Sequence, residues 1–151
     1  MSVIVWDSRT KVLATDRQGT CADMKFLTSK MRRSTCDGKR MVVCAFAGDL
    51  ARGAAMVTWY LDGANPEKLP KFQEGDGWAQ LVVATPEECF YLEDTAEKIK
   101  VEGEYMAWGS GRDFAMGALA MGADAKQAVE VACRFSVSCG MGVDVADLSG
   151  Q

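Results

Sequence analysis

The chain has 151 residues, 48% hydrophobic and 25% charged, with a net charge of −4. That length and balance predict a single globular domain over residues 1–151 with a sizeable core. The acidic charge, with no basic stripe beyond Lys30-Met31-Arg32-Arg33, argues against a nucleic-acid interface, and no apolar run is long enough to span a bilayer. In chain order, Val3–Trp6 and Lys11–Thr15 read as a hairpin, because Val, Ile and Trp favour strands and a polar Asp-Ser-Arg-Thr turn separates the two runs. A loop rich in Gly, Thr and Asp follows, then short strands over Met24–Leu27 and Thr28–Arg33. Asp37-Gly38 marks a turn. The near-continuous apolar run Met41–Ala47 predicts a strand covered on both faces.

A helix begins at Gly48-Asp49. Leu50, Ala54, Val57 and Leu61 recur at helical spacing, Asp49 is available as N-cap, and Gly63 and Pro66 end the helix. Residues 64–78, rich in Pro, Gly, Lys and Glu, read as a surface connection. Gln80–Ala84 and Cys89–Leu92 form a second hairpin around Pro86-Glu87-Glu88. Lys98–Val101 is a candidate short strand, with Glu102-Gly103 as a turn. Tyr105–Trp108 is another strand and leads into Gly109-Ser110-Gly111. Two helices follow, about Asp113–Met121 and, capped by Asp124, up to about Ser136. Cys139–Val143 leads into a tail. Strand groups that are mostly apolar on both sides, alternating with helices, predict an α+β fold: two stacked sheets with helices outside, a four-layer α-β-β-α sandwich.

The six cysteines show no CxxC spacing, and the chain contains no histidine, so no zinc site is predicted. Cys44 and Cys133 sit in apolar runs and read as small core residues. The N-terminus lacks the basic region and long apolar core of a signal peptide, so a cytoplasmic location is expected, and disulfides are not. Gly109-Ser110-Gly111 lacks the surroundings of a phosphate loop. No cofactor or metal is expected.

The chemistry concentrates at the start of the chain. Ser2 follows a methionine that aminopeptidase normally removes when the next side chain is small. Removal leaves a hydroxyl and a free α-amine on one residue. With a pKa near ~8 the amine can serve as a base, which supplies nucleophile and base without histidine.

Several segments, in order, resemble the proteasome β-type family, specifically the bacterial HslV-type peptidases and their short phage-encoded relatives. Val12-Leu13-Ala14-Thr15-Asp16 is similar to the family's second strand. Met24-Lys25 through Lys30-Met31-Arg32-Arg33 is similar to the segment that ends in its active-site lysine and basic pair. Val43-Cys44-Ala45-Phe46-Ala47-Gly48 is similar to the strand that ends at the oxyanion-hole glycine. Ala107-Trp108-Gly109-Ser110-Gly111 is similar to its late Gly-Ser-Gly turn.

The resemblance implies a threonine/serine-type N-terminal-nucleophile peptidase. It implies a ring-shaped homo-oligomer, a polypeptide substrate and a possible ATP-dependent unfoldase partner, with no nucleic acid and no membrane. Carried over by position, Ser2 is the nucleophile where the family usually has Thr. Asp16 orients and charge-balances Lys30, and Lys30 lowers the proton affinity of the nucleophile. Gly48 supplies an oxyanion N–H, and Ser110 helps position the terminal amine. The family's late acid and serine have no clear counterpart beyond Asp144. Physically, a hydroxyl needs an adjacent base, a buried lysine needs an acid partner, and an oxyanion donor is worth about 10²–10³ in rate. The alternative is a catalytically silent, proteasome-like structural or assembly protein that retains Met1.

Overall fold

The buried apolar residues fall into three separate groups, and these groups define the layers. The computed structural model describes residues 2–73, 75 and 77–150. Met1, on whose removal the nucleophile expectation rests, lies outside the described residues. In chain order the elements are β1 (Ile4–Asp7), β2 (Val12–Asp16), β3 (Gln18–Cys21), β4 (Met24–Leu27), β5 (Met31–Cys36), β6 (Arg40–Gly48), α1 (Leu50–Leu61), β7 (Ala79–Ala84), β8 (Cys89–Leu92), β9 (Ile99–Lys100), β10 (Tyr105–Trp108), α2 (Arg112–Ala120), α3 (Ala125–Phe135) and β11 (Val143–Asp147). One antiparallel sheet has the order β10-β1-β2-β11 and the other β5-β6-β7-β8-β9, while β3 and β4 form a hairpin of their own.

Alternation along the strands sends successive side chains to opposite faces. Ile4, Trp6, Leu13 and Trp108 of the first sheet therefore meet Val43, Ala45, Ala47, Val82 and Ala84 of the second. On the outer face of the first sheet, Val3, Val5, Ala14 and Ala107 pack on Ala115 and Leu119 of α2 and on Ala128, Val129 and Ala132 of α3. On the outer face of the second, Cys44, Phe46, Leu81 and Val83 pack on Met56, Val57 and Trp59 of α1. The result is a helix-sheet-sheet-helix sandwich, as the apolar runs predicted. Gly53 lets α1 lie close to β6, since a Cβ there would overlap the Phe46 ring. Among the described residues no helix is long and apolar enough to cross a membrane.

Caps and turns follow the sequence reading closely. The Asp49 carboxylate accepts from Arg52 N–H at 3.0 Å and opens α1. Asp124 and Gln127 make both bonds of a capping box at α3. Three strands differ from expectation. Gln18–Cys21, read as loop, is β3 and pairs with β4 in the register Gly19↔Phe26. The Phe26 ring occupies the space a side chain at 19 would need, so this pairing rests on a cross-strand contact that local propensity does not carry. Val143–Asp147, read as tail, is edge strand β11, paired with β2 from Val143↔Asp16 to Asp147↔Val12. Its two aspartates suit an edge that must not recruit further strands. The strand expected over Thr28–Arg33 begins only at Met31, because Thr28 N–H turns away to Arg17 O at 2.9 Å.

Candidate active site

Ser2 sits two residues before β1, the inner strand that joins β10 to β2. The backbone there is tied on two sides. Towards β2, Asp16 N–H donates to Val3 O at 3.3 Å and Val3 N–H donates to Asp16 Oδ1 at 3.1 Å. Towards α2, Gly111 N–H donates to Ser2 O at 3.1 Å. Gly109 has φ +93°, and a Cβ there would overlap the Ser2 carbonyl oxygen, so the turn needs glycine for conformation and for space. A Cβ at Gly111 would come 2.8 Å from Cys139 Sγ. These contacts fix the backbone from which the Ser2 hydroxyl projects.

Lys30 lies one residue before β5, and its carbonyl accepts from Phe46 N–H at 3.1 Å. Its side chain runs inward. Lys30 Nζ donates to Ser2 Oγ at 3.0 Å and forms an ion pair with Asp16 Oδ1 at 2.8 Å. Ser2 and Asp16 are fully buried and Lys30 is 1% exposed. An isolated charge at that depth would carry a heavy desolvation cost, so the two ions must compensate each other and have their remaining hydrogen-bonding capacity filled. Asp16 meets that condition. Besides Lys30 and Val3 N–H, its Oδ2 accepts from Gly140 N–H at 3.1 Å and Gln18 N–H at 3.4 Å. The carboxylate is held from three chain segments, and it in turn holds the ammonium against the hydroxyl.

Gly48 ends β6 with φ +102°, and a Cβ there would overlap the Trp78 carbonyl. Antiparallel ladders alternate the side to which N–H groups point. Phe46 N–H goes to Lys30 O on the β5 side and Asp49 N–H to Trp78 O on the β7 side. Gly48 N–H therefore points to the β5 side, the edge that carries Lys30. A small cavity of about 120 Å³, lined by Gln18, Thr20, Gly48 and Asp49 among others, opens at this point.

Of the residues singled out by sequence, Lys30 contacts both Ser2 and Asp16, and Gly48 lies on the same edge as Lys30. Ser110 is exposed on the turn whose two glycines meet Ser2. Asp144 is engaged elsewhere: its Oδ2 accepts from Ser29 Oγ at 2.8 Å, and Oδ1 lies 3.4 Å from Arg17 Nε. Sequence reasoning missed the amides of Gln18 and Gly140. It weighted the serine of Gly-Ser-Gly rather than the glycines, although a Gly-x-Gly pair at a strand end is itself a signal for close backbone approach.

The six cysteines are free thiols. Burial pushes Cys44 up to about 12, so the unreactive thiol form dominates at pH 8. Burial also raises Cys89 and Cys139, whereas Cys21 and Cys36 are exposed. Iodoacetamide at pH 8 should therefore alkylate Cys21 and Cys36 first, and peptide mapping should find Cys44 unmodified until the protein is unfolded. Fast labelling of Cys44 in native protein would contradict the packing under α1.

Two antiparallel sheets stacked face to face and backed by helices on both outer faces place the chain in the class of four-layer α-β-β-α sandwiches. Within that class the chain has the fold shared by HslV and the proteasome β-subunits. HslV from Trypanosoma brucei superposes with a TM-score of 0.72 at 24% identity, over 95% of this chain and 97% of that one. Thiobacillus denitrificans BPH, in a structure with epoxomicin, gives 0.68 at 16% identity over 99% and 100%. Anbu from Hyphomicrobium sp. strain MC1 gives 0.71 at 14% identity over 96% and 80%. No family model matches the sequence, and no curated protein matches it.

Proposed function

We propose that the protein is a peptidase whose nucleophile is Ser2 after removal of Met1. The observation that carries this reading is the buried row in which Lys30 Nζ stands 3.0 Å from Ser2 Oγ and 2.8 Å from Asp16 Oδ1. In the proposed reaction the freed α-amine of Ser2 takes the hydroxyl proton as Oγ attacks the substrate carbonyl. Lys30 stabilises the developing negative charge on Oγ, and Gly48 N–H receives the carbonyl oxygen as it becomes an oxyanion. The α-ammonium then protonates the departing amine. The C–N bond breaks and the acyl group remains on Ser2 as an ester. Water, deprotonated by the same amine, attacks the ester and restores the hydroxyl. Asp16 positions Lys30 and takes no part in proton transfer.

A peptide epoxyketone is the sharpest probe. The warhead requires a hydroxyl and a free amine on one residue, and epoxomicin, present in the BPH structure, is of this type. Intact mass should show loss of Met1 and then one inhibitor equivalent, mapped to Ser2. Ser2→Ala should take up none. Processed protein that forms no adduct sinks the peptidase reading. The second reading, a silent proteasome-like assembly protein, draws on the complete burial of Ser2 in the single chain; full retention of Met1 in the purified protein would favour it.

Assembly into a homo-oligomer belongs to the same proposal. Phe114 of α2 and Phe135 of α3 stack at 5.8 Å yet remain 44% and 60% exposed, with Met121 and Val137 exposed further still. Such a cluster of large apolar side chains is characteristic of a protein contact, and a second copy of the chain is the occupant the fold favours. Light scattering should give a multiple of the 16.3 kDa chain, and Phe135→Asp should lower that mass. A monomer in both cases would remove the ring from the proposal. A polypeptide substrate delivered by an ATP-dependent unfoldase, in the cytoplasm, completes the proposed setting.

A further inference from the structure

A cavity of about 670 Å³ opens beside the Gly109 turn, and its lining shares no residue with the small cavity beside Gly48. It lies within the size range of sites that bury a ligand, roughly 300–1,000 Å³. Trp78, Gln80, Tyr91, Glu93, Met106 and Trp108 line it. Register places most of them on one surface. Gln80 pairs with Ala47, Tyr91 with Val82, Met106 with Trp6 and Trp108 with Ile4; all four partners point into the layer between the sheets. The cavity is therefore the open mouth of the sandwich. It reaches the proposed reaction centre along both walls: Gly109, which meets the Ser2 carbonyl, lines it, as does Trp78, whose carbonyl meets Gly48.

The accessible aromatic lining makes it a site for an aromatic group. Trp78 is 53% exposed and Tyr91 half-buried, and both line the cavity, so their rings are open to edge-to-face or offset packing with a further ring. The buried Trp108 holds Tyr91 in place, edge to face at 5.7 Å.

We propose that this mouth binds the residue that follows the scissile bond and selects an aromatic side chain there. The proposal rests on the peptidase reading, and the chemistry assigns the side. The proton returned to the leaving amine comes from the Ser2 α-amine, so the leaving peptide departs along the Ser2 backbone, where Gly109 forms the wall of the cavity. The acyl side falls to the smaller recess beside Gly48.

The test has two arms, both with full-length protein in its native assembly. In the first, the tripeptide amides Phe-Ala-Ala and Ala-Ala-Ala, which mimic a leaving fragment, are titrated against tryptophan fluorescence. The Phe peptide should bind at least about tenfold tighter, the scale of a filled apolar pocket. Gln80→Trp, which fills the mouth, and Trp78→Ala, which removes an exposed wall, should each shrink that difference. In the second arm, internally quenched peptides that differ only in the residue after the cleaved bond should show kcat/KM at least about tenfold higher for Phe than for Ala. Equal affinities in the first arm overturn the proposal, as does a preference that maps to the acyl side in the second. The failures separate cleanly. Cleavage and Ser2 labelling without this preference remove the aromatic site and leave the peptidase. Selective Phe binding without labelling or cleavage removes the peptidase and leaves the aromatic site.

Discussion

Lys30→Met should lower the unfolding free energy by about 3–5 kcal/mol, the usual cost of removing one partner of a buried ion pair. Methionine fills much of the space of the lysine stem, so packing contributes little and the loss is electrostatic. Asp16, fully buried, would be left with a negative charge and no cation. Asp16→Leu should cost more. It strands the Lys30 ammonium and also removes the acceptor of Val3, Gln18 and Gly140 N–H, and each amide left unpaired adds about 1–3 kcal/mol. Urea unfolding at fixed protein concentration measures both changes. The order of the two variants matters more than either value. An Asp16→Leu variant as stable as Lys30→Met would mean that the amides find other acceptors, and the carboxylate would then not be the anchor of the site. In both variants epoxyketone labelling of Ser2 should disappear, because Lys30→Met removes the ammonium bonded to the hydroxyl and Asp16→Leu removes the carboxylate that holds the ammonium there.

Sequence made the layers legible because apolar patterning reports burial directly. The run Met41–Ala47 announced a strand covered on both faces, and Cys44 and Phe46 do face α1 while Val43 and Ala45 face the opposite sheet. Caps were equally readable, since Asp49 and Asp124 act through local bonds. The two missed strands depend on partners distant in sequence or across a turn. β11 is a strand because β2 lies beside it, and β3 because Phe26 covers Gly19. The site divides along the same line. No periodicity could show that Lys30 turns inward to Asp16, for a lysine in a polar stretch reads as solvated; only the ordered resemblance pointed to the pair. The Gln18 and Gly140 amides that complete the carboxylate shell were invisible, since a backbone N–H carries no residue identity.

Gly109→Ala should be among the most damaging single-methyl changes in the chain, and a control separates its causes. With φ at +93°, any side chain at 109 carries a conformational cost of roughly 1–2 kcal/mol. The methyl would also overlap the Ser2 carbonyl oxygen. That neighbour is backbone, already bonded to Gly111 N–H at 3.1 Å, and cannot rotate away as a side-chain tip could. Forcing such an overlap adds about 1–3 kcal/mol. Gly63 has φ +114° with nothing within 4 Å of the Cβ position, so Gly63→Ala bears the first cost without the second. The difference between the two unfolding free energies isolates the contact with Ser2. Labelling completes the comparison. If the Gly109–Gly111 turn sets the position of the nucleophile, Gly109→Ala should slow epoxyketone addition at Ser2 by more than tenfold, the scale of misplacing a reacting group by about an ångström, while Gly63→Ala reacts at the parent rate. Equal labelling rates in the two variants would reduce the turn to a hinge between β10 and α2 and leave the placement of Ser2 to Asp16 and Lys30 alone.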